Sequence, residues 1–183
     1  MMIGKKVKLR QKRLSDAEND YAWQTNPELT QLDAAPLVTI PYSQYLADYT
    51  AELRYPSFSR HAFAIETFDG KHIGNCVYYN IDEHKGEAEV GVMIGDRDYW
   101  DKGYGSDAVE TLVDHIFTET KIKRLYLKTL KWNRRAQRCF EKCGFTHYGY
   151  TMRSGYDFLL MELRCKDWEE KKAKTLSSSE SAR

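Results

Sequence analysis

Residues 99–106 read "YWDKGYGS", and the stretch that follows, "DAVETLVDHIFTE" (107–119), carries a strong helical period. Val109, Leu112, Val113, Ile116 and Phe117 fall at i, i+3, i+4, i+7 and i+8, so the spacing predicts a helix from about Tyr104 to Glu119 with one buried stripe. Just upstream, "EVGVMI" (89–94) has the apolar, β-branched character of a strand. Gly103 and Gly105 therefore stand where a strand hands over to a long helix. The first amides of a helix lack partners and sit at the positive end of its dipole, so such a junction suits a phosphate. Lys102 adds charge there. On these residues alone two readings stay open, a plain turn or a phosphate cradle. A nucleoside triphosphatase loop needs G-x-x-x-x-G-K-[ST], which is absent, and a dinucleotide fingerprint needs a third glycine where Ala108 stands.

Working outward, "HAFAIETF" (61–68), "HIGNCVYYNI" (72–81) and "AEVGVMI" (88–94) are separated by the Asp69-Gly70 turn and by "DEHKGE", the pattern of an antiparallel meander. Further upstream, "VKLR" (7–10) reads as a strand, and Ser15 with Glu18 three residues later reads as a capped helix start. The segment 26–41 is interrupted by Pro27, Pro36 and Pro41 and is predicted to be irregular, with a helix after Ser43 that places Tyr45, Leu46 and Tyr49 on one side. Downstream, "RLYLKTL" (124–130) is a predicted strand. Ala136, Cys139, Phe140 and Cys143 form a second helical stripe ending at Gly144, and "HYGYTM" and "YDFLLMEL" close as a hairpin. This order makes a mixed sheet flanked by helices, an α+β fold.

The 183 residues suit one domain, assigned to 1–165, followed by a polar tail over 166–183 that is expected to be disordered. A net charge of +1 supplies no global field for nucleic acid or an acidic membrane, so any anion site must be local. The charged start "MMIGKKVKLRQK" is no signal peptide and no apolar run is long enough to span a bilayer, which predicts a cytoplasmic protein. Cys76, Cys139, Cys143 and Cys165 have neither C-x-x-C spacing nor paired histidines, so neither a metal site nor a disulfide framework is expected.

A second block lies about thirty residues past the glycines. "NRRAQRCFEKCGF" (133–145) places Asn133, Ala136, Phe140, Gly144 and Phe145 in the pattern N-x-x-A-x-x-x-Y-x-x-x-G-F, while Trp100, Gly103 and Gly105 match Q/R-x-x-G-x-G/A. With both blocks at this distance, the chain resembles the GNAT superfamily of acetyl-coenzyme A dependent N-acetyltransferases. The tryptophan before the loop, "RLSDAENDYAWQTNPEL" and "GYDFLLMEL" are most similar to its ribosomal-protein (RimJ/RimL-like) branch, a resemblance covering roughly Val7 to Leu163.

That resemblance implies a GNAT fold, with a central, mostly antiparallel twisted sheet of six to seven strands, about four helices, and a splay between strands four and five. It implies acetyl-coenzyme A as co-substrate, with the pantetheine arm against Val92, Met93 and Ile94, the pyrophosphate on Asp101, Lys102, Gly103, Tyr104, Gly105 and Ser106, and further contacts from Asn133, Arg135 and Phe140. An amine attacks the thioester directly, and Cys139, on a core stripe, is not the expected nucleophile. The acceptor is a primary amine, with a protein N-terminus favoured over a small amine. An α-amine is about a tenth neutral at pH 7, whereas a lysine-like amine is neutral roughly four times in ten thousand. Glu89 is the expected base, and Tyr104 and Tyr150 are the candidate proton donors to the thiolate.

Two departures from the pattern stand out. Asp101 replaces a usual glycine and puts a negative charge beside the phosphates; Phe140 replaces the tyrosine that acts as general acid in many relatives. Both leave a non-catalytic acyl-coenzyme A binding module of the same fold as the alternative, and an unrelated phosphate binder using the same loop as a third reading. A monomer and a homodimer are equally compatible with the chain.

Overall fold

The structure, a computed structural model, describes residues 1–180, apart from the side chains at 176 and 178–180. Eight strands form one sheet in the order β1-β2-β3-β4-β5-β6-β8-β7. They are β1 (Met2–Ile3), β2 (Val7–Gln11), β3 (Arg60–Thr67), β4 (His72–Asp82), β5 (Glu87–Ile94), β6 (Arg124–Leu130), β7 (Thr146–Arg153) and β8 (Tyr156–Arg164). Every pairing is antiparallel except β5 with β6. The predicted meander is β3-β4-β5, and the predicted closing hairpin is β7-β8.

The helices are α1 (Ala17–Gln24), α2 (Pro27–Leu32), α3 (Tyr42–Arg54), α4 (Tyr104–Glu119), α5 (Arg134–Lys142) and α6 (Cys165–Glu180). On α4, Val109, Leu112, Val113, Ile116 and Phe117 are all buried, as their period requires. They join Val7, Leu9, Ile65, Ile73, Leu125, Leu127 and Met161 of the sheet in one core. At about 1.5–3 kcal/mol for each large apolar side chain buried, that stripe alone anchors α4 to the sheet.

Four sequence expectations are corrected. The sheet has eight strands and the fold six helices, more than the six to seven strands and about four helices implied by the resemblance. The segment read as irregular holds α2, where the Asn26 side chain accepts from the amides of Glu28 and Leu29 at 3.0 and 3.2 Å and Pro27 takes the first turn. The first helix begins through Asp16, which accepts from Arg13 N–H at 2.7 Å, instead of through Ser15 and Glu18. The stretch expected to be a disordered tail is helical from Cys165 to Glu180, because Trp168 packs against the core and Lys171 reaches Glu110 and the Lys142 carbonyl on α4 and α5. Residues 181–183 of that predicted tail lie outside the described residues.

Asp107, in the first turn of α4, ties the N-terminus of the chain to the helix. Its carboxylate accepts from the amides of Lys5, Lys6 and Val7 at 3.0, 2.7 and 3.0 Å. Gly4 is required for that approach, since a Cβ there would stand 2.4 Å from the Asp107 carboxylate. One buried acid thus fixes where α4 starts.

Candidate active site

Strands β5 and β6 are paired only from Glu87–Glu89 to Arg124–Tyr126, and beyond Val90 they part. The resemblance placed this splay between the fourth and fifth strands; the short β1 shifts the count by one. A cavity of about 410 Å³ opens at the splay, lined by Val92, Met93 and Ile94 of β5, by the loop before α4, and by one face of α5. The end of α2 supplies the remaining wall through Leu29, Leu32 and Asp33.

One end of this groove is built from backbone. The amides of Asp101, Lys102, Gly103, Tyr104, Gly105 and Ser106 have no acceptor among the described residues, and the first helical bond of α4 runs from Asp107 N–H to the Gly103 carbonyl at 3.0 Å. Six consecutive donors are therefore presented together. The left-handed φ of Gly103, +84°, and of Asp101, +56°, turn the chain so that they converge. The loop is braced from outside the groove. Lys6 Nζ donates to the Lys102 carbonyl at 2.8 Å, and Lys102 Nζ donates to the Asp98 carbonyl at 2.7 Å.

Trp100 closes this end. Its indole N–H donates to the Ile94 carbonyl at 2.6 Å, and the Arg135 guanidinium lies 3.5 Å from the ring centroid. Arg138 and Lys142 line the same wall of α5 and were missed in the sequence, where they look like ordinary solvated helix charges. Asn133 caps α5, accepting from Ala136 N–H at 3.2 Å, and also faces the groove. Phe140 lines the groove while packing edge-on against Phe145 at 5.7 Å. The Cys139 thiol, hydrogen-bonded by Cys143 and Ser106, is held below the ordinary thiol range.

Next to the groove, where β5 and β6 are still paired, lies a cluster of polar side chains. Glu89 is 2% exposed and sits on the last paired step before the splay, opposite Tyr126 on one side and Tyr79 on the other. It accepts from Lys128 Nζ at 2.7 Å and from Asn80 Nδ2 at 2.9 Å. Asn80 reaches it because the β4–β5 register shifts between Tyr79 and Asp82, where Asn80 takes a φ of +50°. The Tyr79 phenol is pushed up first by burial and then by the neighbouring Glu89 charge. Asp33 keeps solvent access through the groove, yet protein crowds it enough to raise its carboxyl to about 6, with Arg60 acting in the opposite direction.

Of the residues predicted from sequence, Val92, Met93, Ile94, Asp101, Gly103, Gly105, Ser106, Asn133, Arg135 and Phe140 line one groove. Two side chains of the loop do not. Lys102 turns to Asp98, and Tyr104 packs edge-on against Tyr99 at 4.9 Å with Lys6 over its ring, so neither side chain lines the groove. Tyr150 is exposed on the edge strand β7, against His147 and Lys131, and does not face the splay. Neither tyrosine is in place to protonate a leaving thiolate, because strand alternation and the helix turn direct both away.

The family model described as an acetyltransferase (GNAT) domain matches residues 6–146. The chain belongs to the GNAT acetyltransferases. An N-acetyltransferase named p20 from Bacillus licheniformis, whose function is uncharacterized, is 27% identical over 124 residues, 67% of this chain and 69% of that relative. A probable spermine N1-acetyltransferase from Bacillus subtilis subsp. natto (strain BEST195) is 27% identical over 101 residues, 52% of this chain and 66% of that relative. Among solved structures, a spermidine N-acetyltransferase from Vibrio cholerae, in complex with coenzyme A and spermine, superposes with a TM-score of 0.79 at 17% identity, over 88% of this chain and 97% of that one. The GNAT fold and N-acetyltransferase activity follow from the family, and acetyl-coenzyme A is the co-substrate.

The residues present fit that co-substrate. Six amides without acceptors match an oxyanion-rich diphosphate, Arg135, Arg138 and Lys142 add positive charge, and the unpaired edge of β5 offers backbone groups to an amide-bearing arm. A Cβ on Gly105 would meet Cys139 and Ile94 only at 3.6 Å, so the protein itself leaves this side of the loop open. No group of His, Cys, Asp and Glu arranged to hold a metal, and no helix long and apolar enough to cross a membrane, occurs among the described residues.

Proposed function

We propose that this GNAT enzyme acetylates a primary amine of a small cationic acceptor by direct attack on the thioester. The observation that carries the reading is the polarity of the groove. Free amides and the cations of α5 line one part of it, while Asp33 brings a carboxylate from the end of α2, next to the Tyr79 phenol that feels the charges of both Asp33 and Glu89. An anionic carrier and a cationic acceptor enter such a groove from opposite ends, and each is repelled from the other's place. The likeness to a probable spermine acetyltransferase supports the same acceptor chemistry.

In this reading the loop 101–106 and the side chains of α5 hold the carrier, and β5 beyond Val90 orients its acyl end. Glu89 serves as a wall. It keeps Lys128 neutralised, so that the acceptor end stays attractive to an ammonium. A second reading, a protein N-terminus as acceptor, is supported by the similarity to the ribosomal-protein branch around Trp100 and by the larger neutral fraction of an α-amine.

A panel of diamines, polyamines, amino sugars and N-terminal peptides, assayed with acetyl-coenzyme A and mass detection of product, tests both. The small-amine reading expects polyamines and diamines to lead in kcat/KM. If peptides lead, the acceptor is a protein N-terminus. If acetyl-coenzyme A binds and nothing is acetylated, the chain is an acyl-coenzyme A binding module.

A further inference from the structure

Glu89, the base expected from the sequence, is already occupied. Its two oxygens receive Lys128 and Asn80, one each, and it is almost fully buried. A carboxylate in that state has little lone-pair capacity left for an incoming ammonium, and the acceptor has no route to it that does not break an ion pair. Asp33 is the opposite case. It lines the groove with Val92, Met93 and Ile94, and its carboxylate makes no hydrogen bond or salt bridge among the described residues.

We infer that Asp33 takes a proton from the acceptor's ammonium, so that the free amine can attack the thioester. The inference rests on the acetyl-transfer reading above. The ammonium gives one proton to the Asp33 carboxylate, and the neutral nitrogen then bonds to the thioester carbonyl carbon. As the carbon–sulfur bond breaks, the second nitrogen proton leaves with the thiolate, giving the amide and free thiol. Asp33 returns its proton to solvent through the open side of the groove.

The charged and titratable groups around this space are Arg60 on β3, Tyr79 on β4, Glu89 on β5, Tyr126 and Lys128 on β6, and Arg135 on α5. Glu89 and Lys128 neutralise each other, the Tyr79 and Tyr126 phenols are both pushed up and stay protonated, and Arg60 pulls Asp33 down. Crowding by protein prevails, leaving the carboxyl at about 6. Such a base is ionised at neutral pH and still basic enough to hold a proton transiently. Nothing in the sequence pattern marks this residue, since Asp33 lies outside both GNAT blocks and in a proline-interrupted segment.

The test compares wild type, Asp33→Asn, Asp33→Glu and Glu89→Gln on the best acceptor of the panel. Asp33→Asn is expected to lower kcat/KM for a strongly basic amine by about a hundredfold and to erase the rise in kcat/KM through pH ~6, with the Kd for coenzyme A unchanged. It lowers the rate with a weakly basic amine, already neutral at pH 7, by less than tenfold, and Asp33→Glu recovers part of the loss. A separate readout needs no substrate. A carboxyl raised by crowding costs stability once ionised, by a small amount where solvent reaches it, so Asp33→Asn raises Tm slightly more at pH 7.5 than at pH 4. If Asp33→Asn keeps kcat/KM within twofold and retains the acid limb, while Glu89→Gln loses that limb, the inference is overturned and the acetyl-transfer reading survives. If wild type acetylates no amine, the acetyl-transfer reading fails and the inference falls with it.

Discussion

The two ends of the groove are made differently. The proposed carrier end is contiguous, six amides in a row at the start of α4, with its chemistry carried by the main chain. The proposed acceptor end has Asp33 after α2 in the groove wall and, behind it, Tyr79 and Asn80 on β4, Glu89 on β5, and Tyr126 and Lys128 on β6, with its chemistry carried by side chains. A main-chain site tolerates changes in side chains as long as backbone geometry is kept. The proposed acceptor site is expected to be sensitive to single side chains.

That contrast can be broken most forcefully at Asp107. Replacing it with Ala leaves the amides of Lys5, Lys6 and Val7 without their acceptor, at an expected cost of about 3 kcal/mol in denaturant unfolding. It should also loosen the loop that Lys6 braces, so affinity for coenzyme A falls together with stability. An Asp107→Ala variant with native stability would show that the carrier end does not depend on this anchor.

Glu89→Gln comes next. It strands Lys128, and an expected loss of about 2 kcal/mol lies below that of a fully buried pair because Lys128 stays partly in water. Affinity for coenzyme A should hold while KM for the amine rises, as a wall residue requires. Equal effects on both substrates would mean that the two ends are mechanically one.

Gly103→Ala sharpens the contrast from the carrier side. A Cβ at a φ of +84° costs about 1–2 kcal/mol, and if the loop relaxes to avoid it, coenzyme A binding weakens by about tenfold while KM for the amine is unchanged. Isothermal titration separates this from a folding defect. Asp101→Gly has the smallest expected effect. The exposed carboxylate leaves the mouth of the loop, and binding tightens by about threefold, with stability changing by less than about 0.5 kcal/mol. Unchanged binding would mean that the Asp101 charge is fully screened by solvent.

Legibility followed the same divide. Gly103, Gly105 and the stripe from Val109 to Phe117 could be read directly, because a turn and a helical period are encoded by neighbouring residues. Asn133 and Arg135 came from spacing to a second block. Lys102 and Tyr104 lay in the right loop, but their side chains were misplaced, since only packing against Asp98, Tyr99 and Lys6 settles which way a loop residue points. Glu89 is legible as a carboxylate on the strand before the glycine loop, yet its partners are not. Asn80 reaches it only through an irregularity in β4, and Lys128 only through the parallel pairing with β6. Helix α6 was hidden by its polar composition, and Trp168 with Lys171 supplies the contacts that composition cannot express.

By itself, then, the sequence determined the strand, loop and helix that form the proposed carrier site, because those features depend on backbone preferences within about twenty residues. Only the tertiary structure decided which carboxylate is paired and which is open. Ionic pairing depends on distances between strands far apart in the chain, and burial sets how much each unpaired charge costs.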